Sequence, residues 1–479
     1  MAGKFLSMFG PLSRFMPEVG SPTRKVSFNE KLFWTAMALI IYLVMSQVNL
    51  FNVNSGNQNF DAYQVIFASN QGSLTTLGIG PIVTGGLILQ LLIGSSIIKA
   101  DLGHPEDRAL FTAATKFFSI LLTVVQASAY LLGGVFGQLD TVTSVIIFLQ
   151  LIFAGIVLML LDEMMQKGWG LGSGISLFIL GGVAQRIMWD SFGISAIVAD
   201  GHNYGAFIAL GEVIAGGHPI VDAFLRFDLE SGALTTYPSM IGLIATVIVF
   251  VLVIYMEGVR VELPISHANY RGFRGKYPIK LLYVSNLPVI FASALFANVA
   301  VLAQILYSQS WGPDNWFVQL IGTYSVPTDA GVAPQLTGGL AYYLTAPNGI
   351  AGLVADPLRA GIYAVIMVVF AVIFSLTWLE VGGLGASTVA KQLVDSGMQI
   401  PGFRRSGKSI ELILQRYIPV VTVLGGAIIG LIAAVAGFFG VFGTGTGILL
   451  AVGILYQYYQ LLVQEQVAEM YPALGKVLG

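Results

Sequence analysis

The sequence predicts an all-α polytopic membrane protein with ten transmembrane helices in two inverted five-helix halves, and three observations support this. The chain has 479 residues, of which 56% are hydrophobic and only 10% are charged, and its mean hydropathy is +0.80. A soluble domain has roughly 25% charged residues, so the composition alone indicates a membrane protein. Ten apolar segments and a faint internal repeat complete the argument.

Each of the ten segments has close to, or more than, the roughly 20 mostly apolar residues that a membrane-spanning helix needs. In chain order they are 32–50, 74–98, 117–136, 141–161, 171–189, 238–256, 281–304, 357–379, 413–436 and 447–464. The basic N-terminus lacks a short apolar region followed by a small-residue cleavage site, so 32–50 is predicted to be a retained first helix.

The internal repeat relates the fifth segment to the tenth and the second to the seventh. "GLGSGISLFI" at 170–179 and "GTGTGILLAV" at 443–452 both place glycines at alternate positions before an apolar run. Pro81-Ile82-Val83 likewise corresponds to Pro288-Val289-Ile290. Because five spans per half is an odd number, the second half must be inverted relative to the first.

The Lys and Arg positions predict that both termini are cytoplasmic. With that orientation, 20 of the 23 Lys and Arg lie on the inner side, and Arg186, Arg226 and Arg359 lie outside, as the positive-inside rule requires. The predicted organisation is a cytoplasmic segment 1–31, a first half 32–189, an external linker 190–237, a second half 238–464 with cytoplasmic loops 257–280 and 380–412, and a cytoplasmic tail 465–479. We expect a multi-pass protein of the cell membrane.

Several kinds of chemistry find little support in the sequence. The chain has no cysteine and only four scattered histidines, so we expect neither a metal site nor a cofactor. No predicted span carries an ionisable residue well inside it, although ion-coupled transporters usually hold such residues near the bilayer midplane. An inverted-repeat secondary solute transporter nevertheless remains the alternative, because the two-half architecture fits that class too.

Residues 402–409, "GFRRSGKS", match the phosphate-binding P-loop pattern. A P-loop needs a buried strand before it and a nucleotide domain around it, and about 30 residues between two spans leave no room for one. We therefore interpret Arg404, Arg405 and Lys408 as a basic docking surface for an acidic partner such as ribosomal RNA. The loop 260–280 has the same basic character.

Four stretches carry a resemblance to a known family. "TLGIGPIVTGGLILQLLIGS", "GLGSGISLFI", "KYPIKLLYVSNLPVIFASALFAN" and "GFRRSGKSIELILQRYIP" resemble the SecY family, the channel (alpha) subunit of the general protein translocon, in its archaeal type. The resemblance covers residues 28–472. It implies a passive channel, not an enzyme, that passes secretory polypeptides across the membrane and releases transmembrane segments sideways into the lipid bilayer.

The resemblance also implies partners: a SecE-type (gamma) subunit, a small beta subunit, signal sequences, membrane-protein clients, and a ribosome whose nascent chain is pushed through the channel. The ribosome is expected to dock on the basic residues of both cytoplasmic loops, which are Arg260, Arg271, Arg274, Lys276, Arg404, Arg405 and Lys408.

Matched residue by residue, the resemblance assigns three further groups. The expected pore ring consists of Ile79, Val83, Ile175, Ile179, Ile290 and Leu450. The polar cluster of the expected lateral gate consists of Thr84, Gln126 and Asn298. Segment 57–71 is too short and polar to span the membrane, and it is the expected plug, with Phe60, Tyr63, Ile66 and Phe67 as its apolar residues.

Overall fold

A computed structural model of the chain describes residues 4–470 apart from 14–15, 54–66, 95–97, 99–104, 134, 137–138, 195–196, 199, 230, 268–273, 283–286, 308, 310–311, 326–335, 348, 383, 397 and 400–406. Within these residues, one helix corresponds to each of the ten predicted spans. They are α1 (Phe28–Gln47), α2 (Gly80–Gly94), α3 (Pro105–Leu132), α4 (Thr141–Gln166), α5 (Gly174–Phe192), α6 (Met240–Gly258), α7 (Leu287–Tyr307), α8 (Pro357–Val381), α9 (Gly407–Phe438) and α10 (Gly445–Met470).

Eight of these ten helices are long and apolar enough to cross a membrane by length and composition. The two others are α2, which has 15 residues, and α5, which carries Arg186 and Asp190 in its last two turns. α2 begins six residues later than the predicted 74. The cause is local, because Gly78 adopts a left-handed conformation with φ +52 and Pro81 occupies the first turn, where its missing N–H costs nothing.

Among the described residues, the connecting segments add short helices and two small sheets to the ten long helices. The short helices are Lys4–Ser7, Phe9–Ser13, Ala206–Gly216, Val221–Phe224, Trp316–Ile321, Leu340–Leu344, Gly349–Ala355 and Ala386–Asp395. The strands are β1 (Arg260–His267), β2 (Arg274–Lys280), β3 (Thr323–Tyr324), β4 (Leu336–Gly338) and β5 (Met398–Gln399).

The larger sheet joins the two predicted basic loops. β1 and β2 form an antiparallel hairpin in which Arg260 lies opposite Lys280. β5 pairs with the other edge of β1, through Ser266 opposite Gln399 and His267 opposite Met398. Loops 257–280 and 380–412 therefore share one sheet, although 99 residues of sequence separate them.

Contacts between helix ends define two faces of the molecule. On the side where α1 begins, the Lys31 ammonium lies 2.5 Å from the Glu465 carboxylate of α10, and this side is called the N-terminal face. The side that carries the linker 190–237 is called the opposite face, and there the Gly443 N–H before α10 donates to Asp190 Oδ2 of α5 (3.2 Å). The two halves thus touch at both faces.

Small residues allow the helices of the second half to pack closely. A Cβ added to Gly430 of α9 would lie 3.0 Å from the Val368 Cα and the Ala371 Cβ of α8, and one added to Gly426 would lie 2.5 Å from the Ser375 hydroxyl. Small residues at such contacts are typical of membrane helices, since lipid supplies no hydrophobic force between them and close packing must do so. This packing holds α9 closely against α8.

Candidate functional site

The six residues of the expected pore ring lie in one apolar cluster in the centre of the molecule. Ile79 directly precedes α2 and Val83 is in its first turn, while the others come from α5, α7 and α10. The core of the cluster includes Ile79, Val83, Ile179 and Leu450, each at most 8% exposed, and Ile175 and Ile290 pack against it half-buried. The cluster therefore contains residues from four of the ten long helices or their ends, and all six are branched aliphatics.

A buried carboxylate fixes the beginning of α5, where Ile175 is located. Asp162 Oδ1 of α4 accepts hydrogen bonds from the Ile175 N–H (3.0 Å) and the Ser173 hydroxyl (3.3 Å). A Cβ on Gly174 would lie 2.6 Å from the Asp162 Cα. The glycine of the repeated motif is therefore required by this close approach, and the carboxylate satisfies N–H groups that an isolated helix end would leave unpaired.

A cavity of about 350 Å³ adjoins the cluster on the side of the opposite face. Ser293 of α7 lies three residues beyond Ile290, and Thr446 of α10 lies four residues before Leu450, so each lies one helical turn from a cluster residue. Arg186 of α5 also lines the cavity, two turns beyond Ile179. The cavity therefore lies directly beside the cluster, with both polar and apolar side chains in its lining.

The described end of the expected plug packs on the beginning of α2. Phe67 C=O accepts a hydrogen bond from the Ile79 N–H (2.7 Å), and a Cβ on Gly78 would lie 2.1 Å from that same carbonyl oxygen. The Tyr42 hydroxyl of α1 donates to Ala68 C=O (3.0 Å). Phe67 is therefore bonded to Ile79 at the start of α2 and Ala68 to Tyr42 of α1, while Phe60, Tyr63 and Ile66 lie outside the described residues.

Two of the three expected gate residues form a hydrogen bond. Asn298 Nδ2 of α7 donates to the Thr84 hydroxyl of α2 (3.3 Å), and both side chains are half-buried. Gln126 lies half-buried on α3. The far ends of α3 and α7 also meet, because the Gln309 side chain donates to Leu132 C=O (3.4 Å). The structure therefore places α7 against both α2 and α3, which belong to the other half.

The expected docking surface is a small domain on the N-terminal face. Leu263 and Ile279 of the hairpin share an apolar cluster with Leu393 of helix Ala386–Asp395 and with Ile410 and Leu414 of α9. The exposed side chains of Arg260, Lys276 and Lys408 project from this unit.

The charge of this surface is partly neutralised within the hairpin. Lys276 lowers the pKa of the Glu262 carboxyl, first by a hydrogen bond and then by its charge, and Arg260 lies 3.6 Å from Glu262. Arg271, Arg404 and Arg405 lie outside the described residues, and the structure describes only the backbone of Arg274. The P-loop interpretation fails here as expected, because the strand before it is the two-residue edge strand β5, not a buried strand.

Two residues that hold the site together are missed by the sequence analysis. Asp162 lies one residue beyond the predicted span 141–161, and Tyr42 is the one tyrosine of the apolar helix α1. A usable signal exists for each, since a carboxylate or a phenol in a membrane helix requires a partner. Only the fold identifies those partners as the start of α5 and the plug end.

A helical membrane protein whose two halves share an apolar cluster, with a cavity beside the cluster and a segment packed on it, fits the class of membrane channels. Comparison with known proteins gives the family. Residues 73–459 match the SecY family model, and residues 40–72 match the model of the plug domain of Sec61p. The expected plug segment 57–71 lies within this second range. The chain belongs to the SecY family, and its family relatives are channel subunits and not enzymes.

Individual relatives agree over almost the whole chain. The protein translocase subunit SecY of Pyrococcus furiosus is 40% identical over 477 residues, which cover 98% of each chain. A solved structure of a protein-conducting channel has 38% identity and a TM-score of 0.80, and covers 97% of this chain and 98% of its own. Sec61 in the canine ribosome-channel complex has 37% identity and a TM-score of 0.77 at the same coverage. These matches do not favour the solute-transporter alternative.

Proposed function

We propose that this chain is the central pore-forming subunit of a protein-conducting channel, which translocates secretory polypeptides and releases transmembrane segments through a gate between α2, α3 and α7. The observation that carries the proposal is the central cluster, in which Ile79, Val83, Ile175, Ile179, Ile290 and Leu450 converge from four helices. The likeness to a translocase subunit and to a protein-conducting channel supports the same function.

An apolar constriction suits a channel for polypeptides of many sequences. Branched aliphatic side chains offer no hydrogen bonds, so they favour no particular substrate sequence. A bare ion passing between them would lose hydration at a cost of several kcal/mol. The constriction therefore acts as a gasket that tolerates a polypeptide and resists ions, while the plug segment closes the resting channel from the side of the opposite face.

The gate bond is weak enough to be broken by a client. Interhelical hydrogen bonds in membranes contribute about 0.6–2 kcal/mol, so the bond between Asn298 and Thr84 can yield when an apolar segment inserts between the halves. Gln126 on α3 lies along the proposed exit path. The same contact keeps the gate closed at rest, because both partners are half-buried and would otherwise lose a hydrogen bond.

We further propose that the N-terminal face is cytoplasmic, that the membrane is the plasma membrane, and that a ribosome docks on the hairpin surface. The excess of Lys and Arg on that face supports the orientation. The likeness to a channel solved in complex with a ribosome supports the partner. A SecE-type subunit and a small beta subunit would complete the channel, and the force would come from the ribosome.

Orientation can be tested cleanly because the chain has no native cysteine. Single cysteines replace Lys276 on the hairpin and Ser231 in the linker, both exposed positions. In intact cells, a maleimide that does not cross membranes should label the Ser231→Cys variant and should label Lys276→Cys only after lysis. Labelling of Lys276→Cys alone in intact cells would refute the proposed orientation.

The channel function can be tested by photo-crosslinking. A photoreactive amino acid is placed at Ile175, at Gln126 or, as a lipid-facing control, at Val251 of α6, which is 59% exposed. Ribosomes carrying a stalled secretory chain are then added to vesicles containing the channel and its SecE-type partner. Crosslinks from Ile175 and Gln126 but not from Val251 are expected. A docked chain that never crosslinks to Ile175 would exclude the constriction as the path.

A further inference from the structure

The segment between α7 and α8 carries an exposed apolar surface that the channel function does not use. Its helix Trp316–Ile321 exposes 75% of Trp316, 52% of Phe317 and 61% of Leu320, whereas Val318 is buried. The polar side chain of the helix, Gln319, donates its amide to Pro313 C=O (2.7 Å), so one of its amide hydrogens is already satisfied within the chain. The helix therefore presents two aromatic rings and a leucine outward.

The segment that follows this helix folds back along α7. The Tyr324 hydroxyl of β3 donates to Ala300 C=O (3.1 Å), and a Cβ on Gly322, which directly follows the helix, would lie 2.8 Å from the Ala303 Cβ. Ala300 lies seven residues before the end of α7 at Tyr307. At 1.5 Å per residue, the segment reaches about 10 Å back along the span. The helix thus lies beside the last turns of a membrane-spanning helix, not beyond them.

Further exposed apolar residues lie on α7 and on the helix Leu340–Leu344. Leu302 of α7 is 50% exposed and lies about 100° around the helix from Ala303, the residue beside Gly322. Leu340, at the start of the helix Leu340–Leu344, is 51% exposed. Because α7 is long and apolar enough to span the membrane, exposed apolar residues near its end are expected at the level of the lipid.

We infer that the helix Trp316–Ile321 docks into the lipid leaflet at the opposite face, with Trp316, Phe317 and Leu320 inserted at the level where headgroups meet acyl chains. Aromatic rings favour this level because they combine apolar area with a polar edge, and a short helix with one apolar surface lies in the interface plane. The partner is the lipid surface itself, not a protein.

Insertion of this helix into lipid would affect α7, which carries Asn298 of the proposed gate. At 100° per residue, Ala300, Ala303 and Tyr307 lie about 140–200° around α7 from Asn298. α7 is therefore held on one side by the gate residue and on the other by the segment anchored in lipid. This contact goes beyond the proposed function and does not depend on it, because a helix can insert into the leaflet whether or not the channel conducts polypeptides.

Site-directed spin labelling tests the lipid contact. In the cysteine-free chain, Leu320→Cys carries a nitroxide, and Asp314→Cys, an exposed position just before the helix, is the matched control. The complex of this chain with its SecE-type and beta subunits is reconstituted in phosphatidylcholine–phosphatidylglycerol vesicles. Collisions with oxygen, which concentrates in lipid, are compared with collisions with a water-soluble nickel chelate.

The expected result is that the label at 320 has an oxygen-to-nickel accessibility ratio several-fold higher than the label at 314. A ratio at 320 equal to that at 314 would show that the helix is in water and would overturn the inference. A label at 320 that neither reagent reaches would show that a protein subunit covers the helix, and this would overturn it too. Crosslinking through Ile175 is a separate readout, so failure here would not be confused with failure of the channel function.

Discussion

The side-chain amide of Asn298 on α7 donates a hydrogen bond of 3.3 Å to the hydroxyl of Thr84 on α2, and this bond joins the two halves of the channel at the proposed gate. Thr84 directly follows Val83 of the proposed constriction, so the proposed gate contact and the proposed pore lining share one helix turn. Movement of α7 away from α2 would therefore break the bond and, at the same time, change the surroundings of Val83.

Replacing Thr84 by valine should favour the open gate, because valine keeps the shape and removes the hydroxyl. The loss of about 0.6–1.7 kcal/mol corresponds to a 3- to 20-fold change in the opening equilibrium. Thr84→Ser keeps the hydroxyl and is the control. Lateral release of marginally apolar segments is measured by crosslinking at Gln126. Equal release by both variants would remove this bond from the gating mechanism.

Polar substitutions in the constriction should make the resting channel leak ions. In Ile175→Asn, an amide replaces an aliphatic side chain that is half-buried, which lowers the dehydration cost for an ion. A reduction of about 1.4 kcal/mol raises the leak about tenfold. Ile175→Val is the control, and ion flux from proteoliposomes is the measurement. An unchanged flux in a folded Ile175→Asn channel would mean that another surface forms the seal.

Gly78→Ala should loosen the plug. The position has φ +52, which costs an alanine about 1–2 kcal/mol, and its Cβ would meet the Phe67 carbonyl oxygen at 2.1 Å. Gly86→Ala is the control on α2, since its nearest contact would be an ordinary 3.8 Å. We expect raised resting ion leak and faster proteolysis at residues 54–66 in the first variant only. Similar leak and proteolysis in both variants would show that the contact between Gly78 and the Phe67 carbonyl does not hold the plug.

The thermal stability of the linker between the halves should depend on a buried ion pair. Arg226 and Asp200 are 2% and 4% exposed and form a bidentate pair, and Arg226 also donates to Tyr204 C=O (2.7 Å). Arg226→Met leaves the Asp200 carboxylate buried without its partner, which costs about 3–5 kcal/mol.

The control for this substitution is Arg24→Met, because Arg24 is 73% exposed in its pair with Glu30. An exposed pair contributes about 0–1 kcal/mol. Thermal unfolding in detergent should therefore separate the two variants clearly. A melting temperature of Arg226→Met close to that of Arg24→Met would contradict the assigned role of the pair.

Ribosome binding should depend on Lys408 and on ionic strength. Lys408 is exposed in the first turn of α9 beside the hairpin, and a cation that contacts RNA phosphate contributes about 0.7–0.9 to the slope of log affinity against log salt. We expect Lys408→Gln to lower both the affinity and the slope. Lys25→Gln, exposed on the same face, is the control and should change neither. Equal effects would indicate general attraction to the face instead of a docking site.

Hydrophobic patterning predicts much of this molecule, and the failures are local. All ten predicted spans contain a helix, because a span is defined by the apolar character of consecutive residues. The start of α2 is displaced by Gly78, whose left-handed conformation is not encoded in hydropathy. The resemblance supplied the six constriction residues, and the fold brings them together in one cluster. Their roles as a pore ring remain predictions for the leak and crosslinking measurements.

The sequence by itself determined the membrane class, the positions of the ten long helices and the basic loops, since partition into lipid and charge bias depend on composition along short stretches. Only the tertiary structure decided which distant residues meet: β1 with β5, which are more than 100 residues apart in sequence, Phe67 with Ile79, Asp162 with the N–H of Ile175, and Asn298 with Thr84. Hydrogen bonds and close glycine contacts require positions fixed within tenths of an ångström, and such positions follow from the packing of the whole chain, not from the local pattern.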